Sequence, residues 1–260
     1  MASRRHPGLL WTHNDSGDGP TLYCLRPDGS ACGHWRVNGA GATDWEDIAA
    51  GPGPRSSESY LYVGDIGDNA GRRPSVVVYR VPEPDIGDRV GAASAGGAAG
   101  GRGGTTAPAE ALRLRYPDGP HDAEALLVHP ATGDLYIVTK GAEPGVYKAA
   151  APLSPSATVV LTLVSRLAAA ETILDRITGG DVSPDGRRVI LSKYLDGEEL
   201  ELPAGVSAAT GFDAIWSRPP LTVDLGARLQ GESAAYRLDG RAVLATSEGP
   251  GSPLYEVERR

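Results

Sequence analysis

The chain has 260 residues, 40% of them hydrophobic, with a formal net charge of −8 and a pI near 5.2. That is enough apolar material for one large all-β domain or two small ones, and too acidic for nucleic acid or an anionic membrane surface to be the main partner. No apolar run approaches the ~20 residues of a membrane span, and the basic segment Met1 to Pro7 lacks an apolar stretch, so no signal peptide is read here.

The first expected strand in chain order is Leu9-Leu10-Trp11-Thr12-His13-Asn14, followed by Thr21-Leu22-Tyr23-Cys24-Leu25. Cys24 and Cys32 flank the turn Pro27-Asp28-Gly29 on facing arms of a hairpin. There they form either a cross-strand disulfide or two unpaired thiols. Leu61-Tyr62-Val63-Gly64-Asp65 and Ser75 to Val81 come next. Gly87 to Pro108 is dominated by Gly and Ala and reads as a flexible insertion. Further runs are Tyr136 to Lys140, Val146 to Lys148, Val189 to Lys193, Val243 to Ser247 and Leu254 to Val257.

Five of these runs end at residues 14, 65, 140, 193 and 247, at intervals of 51, 75, 53 and 54. Without the 22-residue Gly/Ala stretch, the long interval becomes 53. Turns such as Pro184-Asp185-Gly186 and Leu238-Asp239-Gly240 precede the later runs. A repeat of ~50 residues with three or four short antiparallel strands and no helical periodicity is a propeller blade. The expected fold is an all-β propeller of about five blades, one domain over residues 1–260. A β-sandwich offers no reason for the even spacing. The first and last blades are expected to be incomplete, because the first inner strand should begin at or before Met1 and little follows Glu258.

In a propeller the innermost strand lines the channel, and its start lies on the same face as the end of the second strand. Alignment by the following turns makes Glu46, Glu124 and Glu232 equivalent, with Thr178 in the fourth blade. Asp44 and Asp122 precede their glutamates by two and share their side of the strand. The expected metal ligands are Glu46, Glu124, Glu232, Asp44, Asp122 and Asp65. Lys140, Lys193 and Glu124 are the candidate catalytic groups, and Asn14, Asp15, Asp68, Asn69 and His121 the candidate ligand contacts. Crowded carboxylates have raised pKa values unless a cation neutralises them, and hard oxygen donors suit Ca²⁺ or Mg²⁺. Calcium is the expected cofactor. In the competing reading these acids cap turns or bond the amides of the next blade and lock the ring. Asp181, three residues out of register, is expected at a turn or strand end. Trp11, Trp35, Trp45 and Trp216 are expected to fill the space between blades, with Trp45 also placed to stack on a sugar. The sequence holds no Gly-x-Ser-x-Gly elbow, phosphate-binding Gly-Lys loop or zinc signature.

At Asn14-Asp15-Ser16-Gly17, Asp44-Trp45-Glu46-Asp47, Gly64-Asp65-Ile66-Gly67-Asp68-Asn69 and Asp122-Ala123-Glu124-Ala125-Leu126, the sequence resembles a family of largely uncharacterised bacterial β-propellers, many of them exported. The likeness covers nearly the whole chain outside the Gly/Ala stretch. The Glu-x-Ser-Gly element typical of that family's first inner strand is absent. More distantly, the acid-plus-lysine face is similar to those of β-propeller phytases and six-bladed lactonase-type propellers, which use Ca²⁺. That likeness is at the level of fold and implies an activity only by analogy. The expectation is a monomeric, divalent-cation-binding propeller that hydrolyses phosphoesters or lactones. Its partner would be a small anionic molecule or a glycan, with no nucleic acid and no membrane. The competing expectation is a non-catalytic scaffold that binds protein or glycan.

Overall fold

A computed structural model describes residues 1–15, 17–87 and 103–259. Short β-rich runs separated by Gly, Pro and Asx turns cannot each bury a face alone, so they pair as meanders and the meanders stack. The first sheet is β1 (Leu10–His13), β2 (Thr21–Leu25) and β3 (Ala31–Arg36). The second is β4 (Trp45–Pro52), β5 (Ser59–Asp65), β6 (Val76–Pro82) and β8 (Glu110–Arg115). Between β6 and β8 the chain leaves to add β7 (Gly103–Thr105) parallel to the outer edge of β3.

The third sheet is β9 (Ala123–Val128), β10 (Leu135–Thr139), β11 (Gly145–Ala149) and β13 (Thr162–Arg166). Its own outer connection supplies β12 (Val159–Val160), parallel to β8 of the second sheet. The fourth is β14 (Ile177–Val182), β15 (Arg188–Lys193), β16 (Gly197–Glu201) and β17 (Leu221–Val223). The fifth has three strands, β18 (Gly231–Tyr236), β19 (Ala242–Ser247) and β20 (Tyr255–Glu258). The five sheets form a five-bladed β-propeller with β4, β9, β14 and β18 neighbouring one another around the channel. On the channel side of β1, Ala2 bridges Leu10 and the Ser3 amide donates to the Leu9 carbonyl at 2.9 Å. Most of the Gly/Ala insertion expected at 87–108 lies outside the described residues, and its described end supplies β7. No helix among the described residues is long and apolar enough to cross a membrane.

Successive blades are joined by apolar cores. Trp11, Trp35, Trp45, Leu61 and Val63 fill the joint of blades 1 and 2, which also contains the Cys24–Cys32 disulfide. Tyr62, Val78, Leu126 and Ile137 lie in the next joint, and Val138, Leu191, Phe212 and Trp216 in the third. Ile190, Leu225, Tyr236 and Val243 fill the fourth. Between blades 5 and 1 no such core forms among the described residues. In its place a cavity of about 2010 Å³ runs from the channel between Leu10, Tyr23 and Leu25 on one side and Ala235, Leu244 and Leu254 on the other. The ring is therefore packed at four joints and cleft at the fifth.

Candidate functional site

One backbone irregularity recurs in four blades and builds the channel mouth. Trp45 pairs with Asp65 and Asp47 with Gly64, so Glu46 is an extra residue in β4. The same two-against-one register places Glu124 in β9, Thr178 in β14 and Glu232 in β18. A β-bulge bends the strand and re-aims the unpaired side chain. The equivalence inferred from the spacing of the turns is thus a conformational one. Glu46, Glu124 and Glu232 line the central cavity, together with Asp15, Asp44 and Lys140. Thr178 is buried, and its Oγ1 has no hydrogen-bond partner among the described residues.

Asp15, from the turn after β1, meets Asp44 and Glu46 at the start of β4. Each offers one carboxylate oxygen, and the three oxygens lie within 4.8 Å of one another, a grouping that can hold a metal ion. Gly67 floors this cluster. A Cβ there would collide with the Glu46 Oε1 and Asp44 Oδ2 atoms, so only glycine leaves the carboxylates where they are. The Gly67 amide also donates to the Asp44 carbonyl at 3.2 Å.

Burial drives the electrostatics of the mouth. Glu46 is pushed up to about 10 by desolvation, then by the charges of Glu124, Asp15 and Asp44 and a hydrogen bond with Glu124. Glu232 rises to about 7 through burial and the Glu124 charge. Asp44 is raised by burial and by Asp15 and Asp122, and Glu124 by burial, which the Lys140 contact offsets only in part. Lys140 donates to Glu124 at 2.5 Å. Burial opposes its charge, but the hydrogen bond and charge of Glu124 more than compensate and its pKa lies above the ordinary lysine value. Glu46 therefore keeps a proton at neutral pH, within a crowded acid cluster that holds one matching lysine. Exchanging that proton for a divalent cation would relieve the crowding.

Other acids of the same face hold the fold. Asp65 accepts from the Thr43 and Asp44 amides at 3.1 and 3.2 Å and pairs with Arg73 at 2.8 Å, which fixes the start of β4. Asp122 accepts from the Asp68 amide at 2.7 Å, tying blade 3 to blade 2, while Asp68 closes its own turn on the Arg72 and Arg73 amides. Asn14 donates to Asp18 at 2.6 Å, and Asn69 lines the cavity. His121 bonds Asp118 and the Tyr147 hydroxyl, both at 2.9 Å, and does not line the cavity. Lys193 pairs with Glu198 of its own blade and does not line the cavity. Trp45 is 2% exposed, and its Nε1 donates to the Gly41 carbonyl, which closes the ring to a sugar.

Sequence reasoning missed the role of buried acids, Asp47 and Asp181 among them. Asp47 accepts from the Leu126 amide at 2.9 Å and the Gly180 amide at 3.3 Å, so one carboxylate ties blade 2 to blades 3 and 4. Asp181, expected at a turn or strand end, is the buried next-to-last residue of β14 and accepts from the Tyr236 amide of blade 5 at 2.9 Å. Desolvation pushes Asp47 up to about 8 and Asp181 up to about 6. The ring-locking role considered for the glutamates is performed by these aspartates. No local signal marks them, because their partners belong to other blades. Compared with models of known protein families and with curated protein sequences, the chain matches none.

Proposed function

We propose that the channel mouth binds a divalent cation, calcium first, and that this supports hydrolysis of a phosphoester or lactone. The observation that carries the reading is the Asp15–Asp44–Glu46 cluster over Gly67. Its donors are all hard oxygens, which fit Ca²⁺ or Mg²⁺ rather than a soft metal, and the glycine floor keeps their shared space clear. Glu124 and Glu232 would complete the charge of the mouth from two further bulges. A bound divalent ion would supply Lewis acidity toward a phosphoryl or carbonyl oxygen and acidify a bound water. Lys140, held against Glu124, lines the same cavity and would orient an anionic substrate group. A non-catalytic scaffold is the second reading. It is favoured by Asp47, Asp65, Asp68, Asp122 and Asp181, which all accept bonds from backbone amides.

Thermal unfolding of the chelator-treated chain with and without millimolar Ca²⁺ separates the two readings. A ligand bound only by the native state at a hundredfold excess over Kd adds about 2.7 kcal/mol, or roughly 5–10 °C for a chain of this size. The expected result is a rise of that order, lost in Glu46→Gln, whose side chain is isosteric. Activity against model phosphoesters and lactones should then depend on the ion. An unchanged melting temperature with Ca²⁺ and Mg²⁺ would leave the scaffold reading.

A further inference from the structure

Exposed large apolar side chains are unevenly distributed over this molecule. Among the described residues, Ile173, Leu174, Leu195 and Leu229 stand exposed in three successive loops around the mouth-side ends of blades 4 and 5. The corresponding loops of blades 1 to 3 carry Asn14-Asp15, Asp68-Asn69 and Gly141-Ala142-Glu143. The apolar loops are held in place. Arg228 is 3% exposed, and its guanidinium donates to the Ser192 hydroxyl at 3.0 Å and to the carbonyls of Lys193 and Asp196 at 3.1 and 2.7 Å. The Gly231 amide adds a bond to the Tyr194 carbonyl at 2.8 Å. Residues 224–231 are therefore fastened onto the 194–196 turn, and Leu229 is 93% exposed on an anchored support. Ile177, which follows the Ile173–Asp175 turn, pairs with Lys193 and brings that turn to the same joint. Exposed aliphatic side chains carried on adjoining, anchored loops of one face point to an interaction surface.

The charges around it select the partner. Glu171, Asp175 and Asp196 belong to the same loops, and Glu248 opens the neighbouring loop after β19, where its amide bonds the Gln230 carbonyl at 3.0 Å beside Leu229. Of the cations nearby, Lys193 is paired with Glu198 and Arg228 is spent on the loop anchor, which leaves Arg176 beside Asp175 against the four carboxylates. An apolar platform edged by surplus carboxylates, next to an acidic channel, complements aliphatic side chains interspersed with basic ones. We infer that the rim of blades 4 and 5 docks a basic amphipathic segment of another protein, laid across one side of the channel mouth. This surface does not depend on the cation reading, since none of its leucines contributes to the carboxylate cluster.

The test is fluorescence anisotropy of a labelled twelve-residue peptide of alternating Leu and Lys, titrated with the full chain at low ionic strength. The same peptide with Glu for Lys is the charge control. The wild type should bind the lysine peptide at least about tenfold more tightly than L195S/L229S, and should not bind the glutamate peptide. L221S, which changes an exposed leucine elsewhere, should bind as the wild type does, and Glu46→Gln should leave docking intact. Equal binding by wild type and L195S/L229S would assign the affinity to the mouth acids alone and overturn the inference. So would the absence of binding, or equal loss in L221S. Adsorption to phosphatidylcholine vesicles that is lost in L195S/L229S, with no effect on the peptide, would overturn it in favour of a lipid surface.

Discussion

Gly67 shows how a residue with no functional group shapes the candidate site. Its backbone lies outside the left-handed region, so alanine is conformationally allowed there. The added methyl would instead displace the ends of Asp44 and Glu46. Gly67→Ala is therefore expected to retain the fold within about 1 kcal/mol and to weaken Ca²⁺ about tenfold, a loss near 1.4 kcal/mol. Calorimetric titration of the variant against the wild type measures it, and unchanged affinity would place the ion elsewhere. Glu46, Glu124 and Glu232 were legible in the sequence because a repeating fold makes equal spacing into equal position. Asp47 and Asp181 were not, because a carboxylate that bonds amides 55 to 133 residues away leaves no local pattern.

Among the elements, inner strands are legible through their bulge and turn chemistry, and outer strands much less so. Gly103–Thr105 has the composition of a loop and becomes β7 only because β3 offers it a free edge. Val159–Val160 joins β8 in the same way. The stacking of the blades yields a sharper expectation. Leu191 is fully buried in the joint of blades 3 and 4, whereas Leu244 faces the cleft between blades 5 and 1. Leu191→Ala should cost about 2–5 kcal/mol, the usual range for emptying a packed core position. Leu244→Ala should cost about 1 kcal/mol or less, since fewer packed contacts vanish with it. Urea denaturation of the two variants provides the comparison. Equal costs would mean that the fifth joint is packed like the others.

For the molecule as a whole, the acids of the channel couple stability to pH. Glu46, Asp47, Glu232 and Asp181 have folded values raised to about 10, 8, 7 and 6. Unfolding returns each to near 4, so between about pH 4 and these raised values the folded chain binds more protons than the unfolded one. Their contribution to stability is thus fully present below about pH 4 and is lost as pH rises through the folded values. A cation that binds the mouth must displace the protons of Glu46 and Glu232, so its stabilising effect should grow over the same range. The most direct measurement is the melting temperature of the chelated chain and of the chain in millimolar Ca²⁺, each at pH 5 and pH 8. The expected result is a calcium-free melting temperature that falls from pH 5 to pH 8, with a calcium-induced rise that is small at pH 5 and several degrees at pH 8. A calcium effect that is absent at both values, or equal at both, would contradict a cation that replaces protons on the crowded channel carboxylates.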